Sequence, residues 1–248
     1  MGAPTPEELR LLEKWEDLRA VKNLMGRYVL DILNNRERSV IARHWSRRDD
    51  ISFGVNTGWY AGRDQVSAMY EAFAALAEVK TELLRAAFPD RLSGKTAEEL
   101  FGAGMHYNLP NSTPVIEISG DGRTAKGIWY CHGSYADLFP SGVQSRWTWG
   151  YYTADLIKED GQWKLWHLNW LNDADTLCGQ TWVRENVPYP DEPRFAALHA
   201  ERLPRPNVPA ELWQLYSPRR RFMGTPRIPQ PYERFEDTFS YGAEGGAS

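Results

Sequence analysis

The stretch that most constrains the fold is residues 146–171, which read RWTWGYYTADLIKEDGQWKLWHLNWL. Aromatic and branched residues recur there at alternate positions, before and after the glycine-containing segment 159–162. Strands project side chains to opposite faces with a period of two, and a short loop with glycine lets the chain double back. The pattern therefore predicts a long β-hairpin.

Both faces of this hairpin are apolar. One alternating set of side chains is Trp147, Trp149, Tyr151, Trp163, Leu165 and His167. The other set is Tyr152, Ala154, Leu156, Trp166, Leu168 and Trp170. A hairpin that is apolar on both faces must be covered on both, so we expect it to be central to a sheet, with helices on one side and a second layer or a ligand on the other.

Composition limits the class of protein. The chain has 248 residues, 42% of them hydrophobic, enough for one large domain or one domain with an appendage. The net charge of −4 argues against a nucleic-acid partner, and the short basic run 219–221 is typical of a solvated surface or an intersubunit clamp. No apolar run approaches about twenty residues, so no membrane partner is expected.

The beginning of the chain and its cysteines add little chemistry. Residues 1–17 are polar and acidic without a hydrophobic signal region, which predicts a cytoplasmic protein. Cys131 and Cys178 make neither a disulfide scaffold nor a zinc site by themselves. The sequence has no Gly-rich phosphate loop, GxSxG or HExxH motif, so neither a cofactor nor a metal is predicted, although histidines from separate elements could still converge on a metal.

Helical periodicity dominates the first third of the chain. It predicts a long amphipathic helix at 7–34, a short helix at 38–47, a strand at 51–55 and a third helix for which Asp64 is the candidate N-cap. On the first helix Asp31 lies at the edge of the apolar stripe, beside Tyr28.

The remainder divides into an insertion, strands and an arm. Residues 80–104 are helical in pattern but interrupted by Pro89 and Gly94, which predicts an inserted helical segment. Strands are expected at 114–119 and 124–135. From residue 176 onward, where ten of the sixteen prolines lie, periodicity is lost. We therefore predict a domain at 1–175 and a Pro-rich extension at 176–248 that packs on the domain or on a neighbouring subunit.

Helices followed by a strand, a helix and a run of antiparallel strands indicate an α+β fold. The expected architecture is a curved, mainly antiparallel sheet wrapped around N-terminal helices, with a cone-shaped cavity between them.

Four segments, taken in order, resemble a known family. They are LMGRYVLDILNNR, GWYAGRDQV, the segment from His106 into PVIEISGDGRTAKGIWY, and YYTADLIKEDGQWKLWHLNW. Together, over residues 15–172, they look like the NTF2-like superfamily and its SnoaL-like group. The resemblance implies an α+β cone whose mouth lies between the helices and the concave sheet face.

Within that group, enzymes similar to scytalone dehydratase and bile-acid 7α-dehydratase use a Tyr and an Asp on the first helix and a His at the start of a central strand. The matching positions here are Tyr28, Asp31 and His106. The resemblance implies that these three are catalytic, and that His106→Ala or Asp31→Asn lowers turnover at least about a hundredfold. Read without it, each has a structural alternative, as a core phenol, an Arg-paired carboxylate or a hydrogen-bonded imidazole.

The length and the Pro-rich extension look more like the longer bacterial lyases that deformylate lignin-derived diaryl 1,3-diols to stilbenes, releasing formaldehyde without a cofactor. A cofactor-independent lyase on a hydroxylated aromatic small molecule is therefore the main functional hypothesis. The alternatives are a dehydratase of a polyketide-, steroid- or phenol-like substrate and a non-catalytic binding or scaffolding protein. Family members are often dimers or trimers, so a homo-oligomer is expected.

Several further residues are candidates for substrate binding. Aromatic walls would stabilise a cationic intermediate through cation–π attraction, a role for Trp45, Trp149 or Tyr151. Polar contacts are assigned to His132, Arg146, His167 and Asn169, while His44 and His199 look peripheral. Each has a structural alternative, which for the aromatic residues is core packing and for Arg146 is pairing with an acidic neighbour.

Overall fold

The computed structural model describes residues 4–34, 36–100, 104–139, 141–181 and 200–243, together with 183 and 197. The helices are α1 (Pro6–Leu33), α2 (Glu37–His44), α3 (Arg63–Ala87), α4 (Pro89–Leu92) and α5 (Ala97–Leu100). The strands are β1 (Ser52–Val55), β2 (Gly58–Ala61), β3 (His106–Asn108), β4 (Asn111–Ile118), β5 (Thr124–Phe139), β6 (Gly142–Glu159), β7 (Gln162–Leu177) and β8 (Val208–Pro209). No helix in this part of the chain is long and apolar enough to cross a membrane.

Helix α1 begins at a capping box. Thr5 accepts a hydrogen bond from the backbone N–H of Glu8, and the Glu8 carboxylate accepts one from the N–H of Thr5. These bonds satisfy N–H groups that have no partner inside the helix. The apolar stripe is buried, with Val21, Met25 and Tyr28 at most 2% exposed. The helix predicted at 7–34 is confirmed to within one residue at each end.

The strands form one sheet in the order β3-β5-β6-β7-β1-β2-β8, and β4 also pairs with β5. Strands β6 and β7 pair around the turn at 159–162, so the predicted hairpin is confirmed, and it lies in the middle of the sheet. Among the described strand pairs only β1 and β7 run parallel. The fold is α+β with a curved, mainly antiparallel sheet and N-terminal helices, as predicted.

The two faces of the sheet have different neighbours. The inner face, which carries Trp129, Ala154 and Leu168, packs on α1, α2 and α3 in one hydrophobic core. The outer face, which carries Asp155 and Asn169, is covered in part by the C-terminal segment. The inner face is therefore the one that the helices enclose.

A bulge in the hairpin changes which side chains share a face. Leu156 pairs with Leu165, whereas Asp155 pairs with His167, so Trp166 is an extra residue on β7. Leu165 consequently joins Leu168 in the inner core. The prediction that His167 shares a face with Trp163 and Leu165 is wrong, because strict alternation does not hold across a bulge.

Helix α3 continues into the region that the sequence assigned to an insertion. It runs to Ala87 and buries Lys80, Thr81 and Leu84, and the helical pattern is interrupted at Phe88 and again at 93–96. Its N-cap is Gly62 with a φ of 95°, and Asp64 lies in the first turn, so the predicted N-cap was two residues late.

The described part of the Pro-rich segment packs on this chain's own sheet. Strand β8 pairs antiparallel with β2. Trp213 lies edge-on to Tyr151, with ring centroids 5.7 Å apart. Further along, the backbone N–H of Tyr241 donates to Oδ2 of Asp155 over 2.7 Å.

Candidate active site

Tyr28 and Tyr70 bring two phenol hydroxyls together between the helices and the inner face. Their oxygen atoms are 2.9 Å apart, and the side chains are 2% and 3% exposed. Tyr152 lies edge-on to Tyr28, and Trp45 and Phe53 lie edge-on to Tyr70, with ring centroids 6.1 to 6.3 Å apart. Burial raises the pKa of both phenols, so both stay protonated at neutral pH and can donate hydrogen bonds.

Asp31 lies one turn further along α1 and binds His44. Nε2 of His44 donates to Oδ2 of Asp31 over 2.7 Å, and both side chains are buried. Burial alone would raise the pKa of Asp31, but hydrogen bonds from His44 and Arg36 together with the charge of Arg43 lower it. The His44 ring lies edge-on to Tyr28, with centroids 6.2 Å apart. His44 is therefore part of the same group as Tyr28 and Asp31, and its assignment as peripheral is corrected.

An open groove of about 1190 Å³ reaches Asp31 and His44 from the surface. It runs between α1, the end of α2 and the turn joining β6 to β7, and its basic side chains include Arg27 and Lys164. The hydroxyl of Tyr28 points the other way, toward Tyr70. The Asp31 pair therefore meets solvent on one side and the buried phenols on the other.

Glu37 begins α2 and adds a carboxyl to the enclosed side. Its Oε2 is buried and accepts no hydrogen bond from any described residue. Burial raises the pKa of Glu37 to about 7, against the opposing effects of its own backbone N–H and Arg38. A carboxyl in this condition can take up or release a proton near neutral pH.

Arg146 belongs to a buried ion pair on the far half of the inner face. Its Nε donates to Oδ1 of Asp175 over 2.6 Å, and the Tyr135 hydroxyl donates to Oδ2 over 2.9 Å. Burial raises the pKa of Asp175 against the opposing effect of Arg146. The observed pairing agrees with the structural alternative for Arg146, while its predicted contact with substrate stays a prediction.

A second carboxylate nearby is bound in the same way. Asp137 accepts a hydrogen bond from the Tyr107 hydroxyl over 3.0 Å and pairs with Lys80. The rings of Tyr107 and Tyr135 are stacked, with centroids 5.8 Å apart. Asp175 and Asp137 thus each accept a hydrogen bond from a phenol and pair with a cation. These contacts occupy their oxygens, which leaves them poorly placed to act as bases.

Five residues predicted to bind substrate lie on the outer face: His132, Trp149, Tyr151, His167 and Asn169. They do not line a space enclosed between the helices and the inner face. His132 is exposed and stacked on Tyr130, with centroids 5.4 Å apart. Of the substrate-binding candidates only Trp45 and Arg146 lie on the enclosed side.

His167 and Asn169 make contacts that hold the sheet and the C-terminal segment together. Nδ1 of His167 lies 2.8 Å from the Ser52 hydroxyl. The Asn169 amide accepts a hydrogen bond from Trp59 Nε1 over 3.1 Å and donates to the carbonyl of Tyr241 over 2.9 Å. These contacts fit a structural role for both residues.

His106 lies apart from the other two residues predicted to be catalytic. It is exposed at the start of β3, opposite Ala136 of β5. Within the described chain no hydrogen bond joins it to Tyr28 or Asp31, so the structure brings two of the three together and not the third.

Sequence reasoning missed His44 and Glu37. A signal existed, because positions 37, 40 and 44 are spaced as one helical face and Val40 is apolar. The contact of His44 with Asp31, thirteen positions earlier, depends on how α2 returns along α1. No group of three or more potential metal ligands lies together in the described residues.

An α+β cone with helices on the inner face of a curved sheet, and phenols and carboxyls between them, is an NTF2-like arrangement. The model of the SnoaL-like domain family matches residues 13–169, which is more than half of the chain. The protein therefore belongs to the SnoaL-like domain family. No curated protein matches the sequence.

Solved structures with the same fold have low sequence identity. A variant of Rv3472 from Mycobacterium tuberculosis, of unknown function, is 18% identical, with a TM-score of 0.52 over 85% of this chain and 98% of that one. A putative scytalone dehydratase from Novosphingobium aromaticivorans is 15% identical, with a TM-score of 0.47 over 72% of this chain and 96% of that one. The first of these supports the fold alone.

Proposed function

We propose that the protein is a cofactor-independent lyase that acts on a hydroxylated aromatic small molecule. In its most specific form, the proposal is deformylation of a lignin-derived diaryl 1,3-diol to a stilbene. The observation that carries it is the buried pair of Tyr28 and Tyr70 hydroxyls, 2.9 Å apart and walled by aromatic rings. Membership of the SnoaL-like family fits an isomerase, dehydratase or lyase that needs no cofactor.

The proposed reaction begins at the benzylic carbon. Tyr28 donates a proton to the benzylic hydroxyl, which leaves as water, assisted by electron release from a para-oxygenated ring. A base takes the proton of the terminal CH₂–OH, the adjacent C–C bond breaks, and its electrons form the alkene as formaldehyde departs. The diol thus becomes stilbene, formaldehyde and water without an oxidant or a reductant. Aromatic walls favour the cationic character that develops at the benzylic carbon.

Asp31 and His44 are proposed to position Tyr28. The Asp31 carboxylate holds the His44 ring in one orientation, and that ring lies against Tyr28. His106, exposed on β3, stays a prediction of the family resemblance. Comparing His44→Gln with His106→Ala tests which imidazole matters, and we expect the former to reduce kcat more.

Dehydration remains the alternative reaction, because the same phenols would serve if the base removed a C–H proton. A non-catalytic binding protein is the alternative from a different class. The proposed ligand in every case is a small aromatic molecule, and the protein is proposed to act as a homo-oligomer.

The test is incubation of the chelator-treated protein with a 1,2-diarylpropane-1,3-diol while stilbene absorbance and formaldehyde are measured together. Equal amounts of both are expected. An alkene without formaldehyde would replace deformylation by dehydration, and no product from any diol tested would overturn the lyase proposal.

Tyr28→Phe gives the sharpest variant, and it should lower kcat/KM at least about a hundredfold. Tyr60→Phe is the matched control, because it removes another buried hydroxyl, which donates to the Pro204 carbonyl in the C-terminal segment. The control should remain within about threefold of the wild type. Equal losses in the two variants would mean that Tyr28 acts through stability alone.

A further inference from the structure

We infer that Glu37 is a further catalytic residue. Its carboxylate accepts a hydrogen bond from a hydroxyl of the substrate, between the helices and the inner face of the sheet, and then takes the proton of that hydroxyl. The inference rests on the proposed function, since it names the base that the elimination requires. Three features of Glu37 support this role: the direction of its side chain, a buried oxygen without a partner, and its electrostatic effect on nearby phenols.

The direction of the side chain follows from the helix. Glu37, Val40 and His44 occupy one face of α2, and Val40 and His44 are 0% and 6% exposed. That face packs toward α1 and α3 in the hydrophobic core. Glu37 therefore lies on the side of α2 that faces the space between the helices and the sheet. It is at the N-terminal end of α2, where free backbone N–H groups favour a negative charge.

One oxygen of the carboxyl has no hydrogen-bond donor among the described residues. Oε2 of Glu37 is buried, and a buried oxygen without a partner costs free energy that a ligand hydroxyl would recover. Other buried carboxylates of the described chain are occupied: Asp137 holds Tyr107 and Lys80, and Asp155 holds Lys126. Glu37 differs from them because its Oε2 can still accept a hydrogen bond from a ligand.

The charge of Glu37 acts on three buried phenols. Burial is the main cause of the raised pKa of Tyr28, Tyr70 and Tyr107, and the charge of Glu37 adds to it in all three. These side chains come from α1, α3 and β3, so the charge of Glu37 acts on phenols of all three elements. The adjacent cation, Arg38, points outward and pairs with Glu71 and Glu78 of α3.

The proton balance closes within this group. Glu37 as a carboxylate takes the proton of the terminal hydroxyl as the C–C bond breaks and formaldehyde leaves. Tyr28 gives its proton to the departing benzylic hydroxyl, and the proton held by Glu37 then returns to Tyr28. A carboxyl with a pKa of about 7 can take part in both transfers.

The first test is the dependence of kcat/KM on pH between about pH 5 and 9 for wild type, Glu37→Gln and Glu37→Asp. Activity should rise with pH through about 7, as Glu37 ionises. In Glu37→Gln, kcat/KM should fall at least about a hundredfold and no longer decrease toward acid pH. In Glu37→Asp, kcat/KM should be lower than in the wild type but should still decrease toward acid pH. Glu71→Gln, an exposed carboxyl on α3, is the control and should behave as wild type.

A second measurement separates this inference from the proposed function. Binding of 4-hydroxystilbene, followed by quenching of tryptophan fluorescence, should weaken at least about tenfold in Glu37→Gln and depend on pH only in the wild type. If the diol is not turned over but binding still depends on Glu37, the lyase proposal fails and the ligand contact stands. If the diol is turned over and Glu37→Gln keeps wild-type rates and pH profile, the role of Glu37 is overturned. Wild-type binding in Glu37→Gln with an inactive wild type would overturn both.

Discussion

The two faces of the sheet bury charge in opposite ways. On the outer face Lys126 and Asp155 are both 0% exposed, and Nζ donates to Oδ1 over 2.6 Å. Asp155 also accepts hydrogen bonds from Ser240 and from the backbone of Tyr241. On the inner side, the buried oxygen of Glu37 has no donor among the described residues.

Aromatic rings surround both sites but in different roles. Four rings of the C-terminal segment lie within 5.8 Å of Lys126 Nζ, namely Tyr232, Phe235, Phe239 and Tyr241. Those rings contact the charge directly and complete its environment. The phenols near Glu37 bond elsewhere, to one another or to Asp137. A buried charge with all its partners therefore fixes structure, whereas a buried carboxyl oxygen without a donor leaves a contact for a ligand.

Removing one member of the satisfied pair should have the largest effect. Asp155→Ala leaves a fully buried Lys126 without its carboxylate, and we expect a loss of about 3–5 kcal/mol in the free energy of unfolding. The C-terminal segment should also become sensitive to protease. Urea unfolding and limited proteolysis measure the two effects.

The matched control is the double replacement Lys126→Met with Asp155→Leu, which removes both charges. It should recover at least half of the lost stability, because no charge is left unpaired. A double variant as unstable as Asp155→Ala would mean that packing, and not charge, is what the pair supplies.

Glu37 should show the reverse behaviour and a smaller effect. Its pKa rises from 4.5 to about 7 on folding, so the folded state holds a proton that the unfolded state releases between those values. Stability should therefore fall as pH rises from 4.5 to about 7, by up to about 3 kcal/mol, and level off above. Glu37→Gln should remove this slope without loss of stability at neutral pH. Thermal unfolding across this range measures it, and a slope of the same size in Glu37→Gln would contradict the prediction.

Asp31 should show a weaker dependence of opposite sign. Its pKa is lowered on folding by His44 and Arg36, which outweigh burial, so its contribution is present above the unfolded pKa and is lost as pH falls through the lowered value. Asp31→Asn should be less stable than wild type by about 1 kcal/mol near pH 7, with the difference disappearing in acid. If the wild type and Asp31→Asn differed in free energy of unfolding by the same amount at every pH, the charge of the Asp31 carboxylate would not be what stabilises the folded protein.

The smallest effect is expected at the surface. Glu71→Gln removes one exposed partner of Arg38, which keeps Glu78, so the melting temperature should not change measurably. A clear change would indicate that Arg38 helps to hold α2, and with it Glu37, against α3.

Much of the fold was predictable because its signals are local. The helix α1 follows from an apolar stripe with a capping box, and the β6–β7 hairpin follows from alternation around a glycine turn. The bulge at Asp155 and Leu156 was not predictable, since an extra residue leaves no mark in a run that is apolar on both faces. That one residue moved His167 to the opposite face from Leu165.

The site was predictable only in part. Tyr28 and Asp31 came from the resemblance of α1 to a family, and the structure places them in one group with His44. Glu37 resembles an ordinary first-turn glutamate of a short helix, and the burial of its Oε2 depends on tertiary packing that the sequence does not reveal. The Pro-rich segment has no periodicity, so the residues that cover Lys126 could not be identified from the sequence.

The aromatic rings around Lys126 also set an order of events during synthesis. The ribosome releases β5 and β6, which carry the ion pair, roughly ninety residues before Tyr241 emerges, at a synthesis rate of about 5–20 residues per second. For those seconds the outer side of the hairpin keeps its charges in water while the inner core can already assemble. We therefore expect the outer face to be completed after the inner core, once the C-terminal segment has emerged, and until then a chaperone would meet a sheet that is covered on one side only.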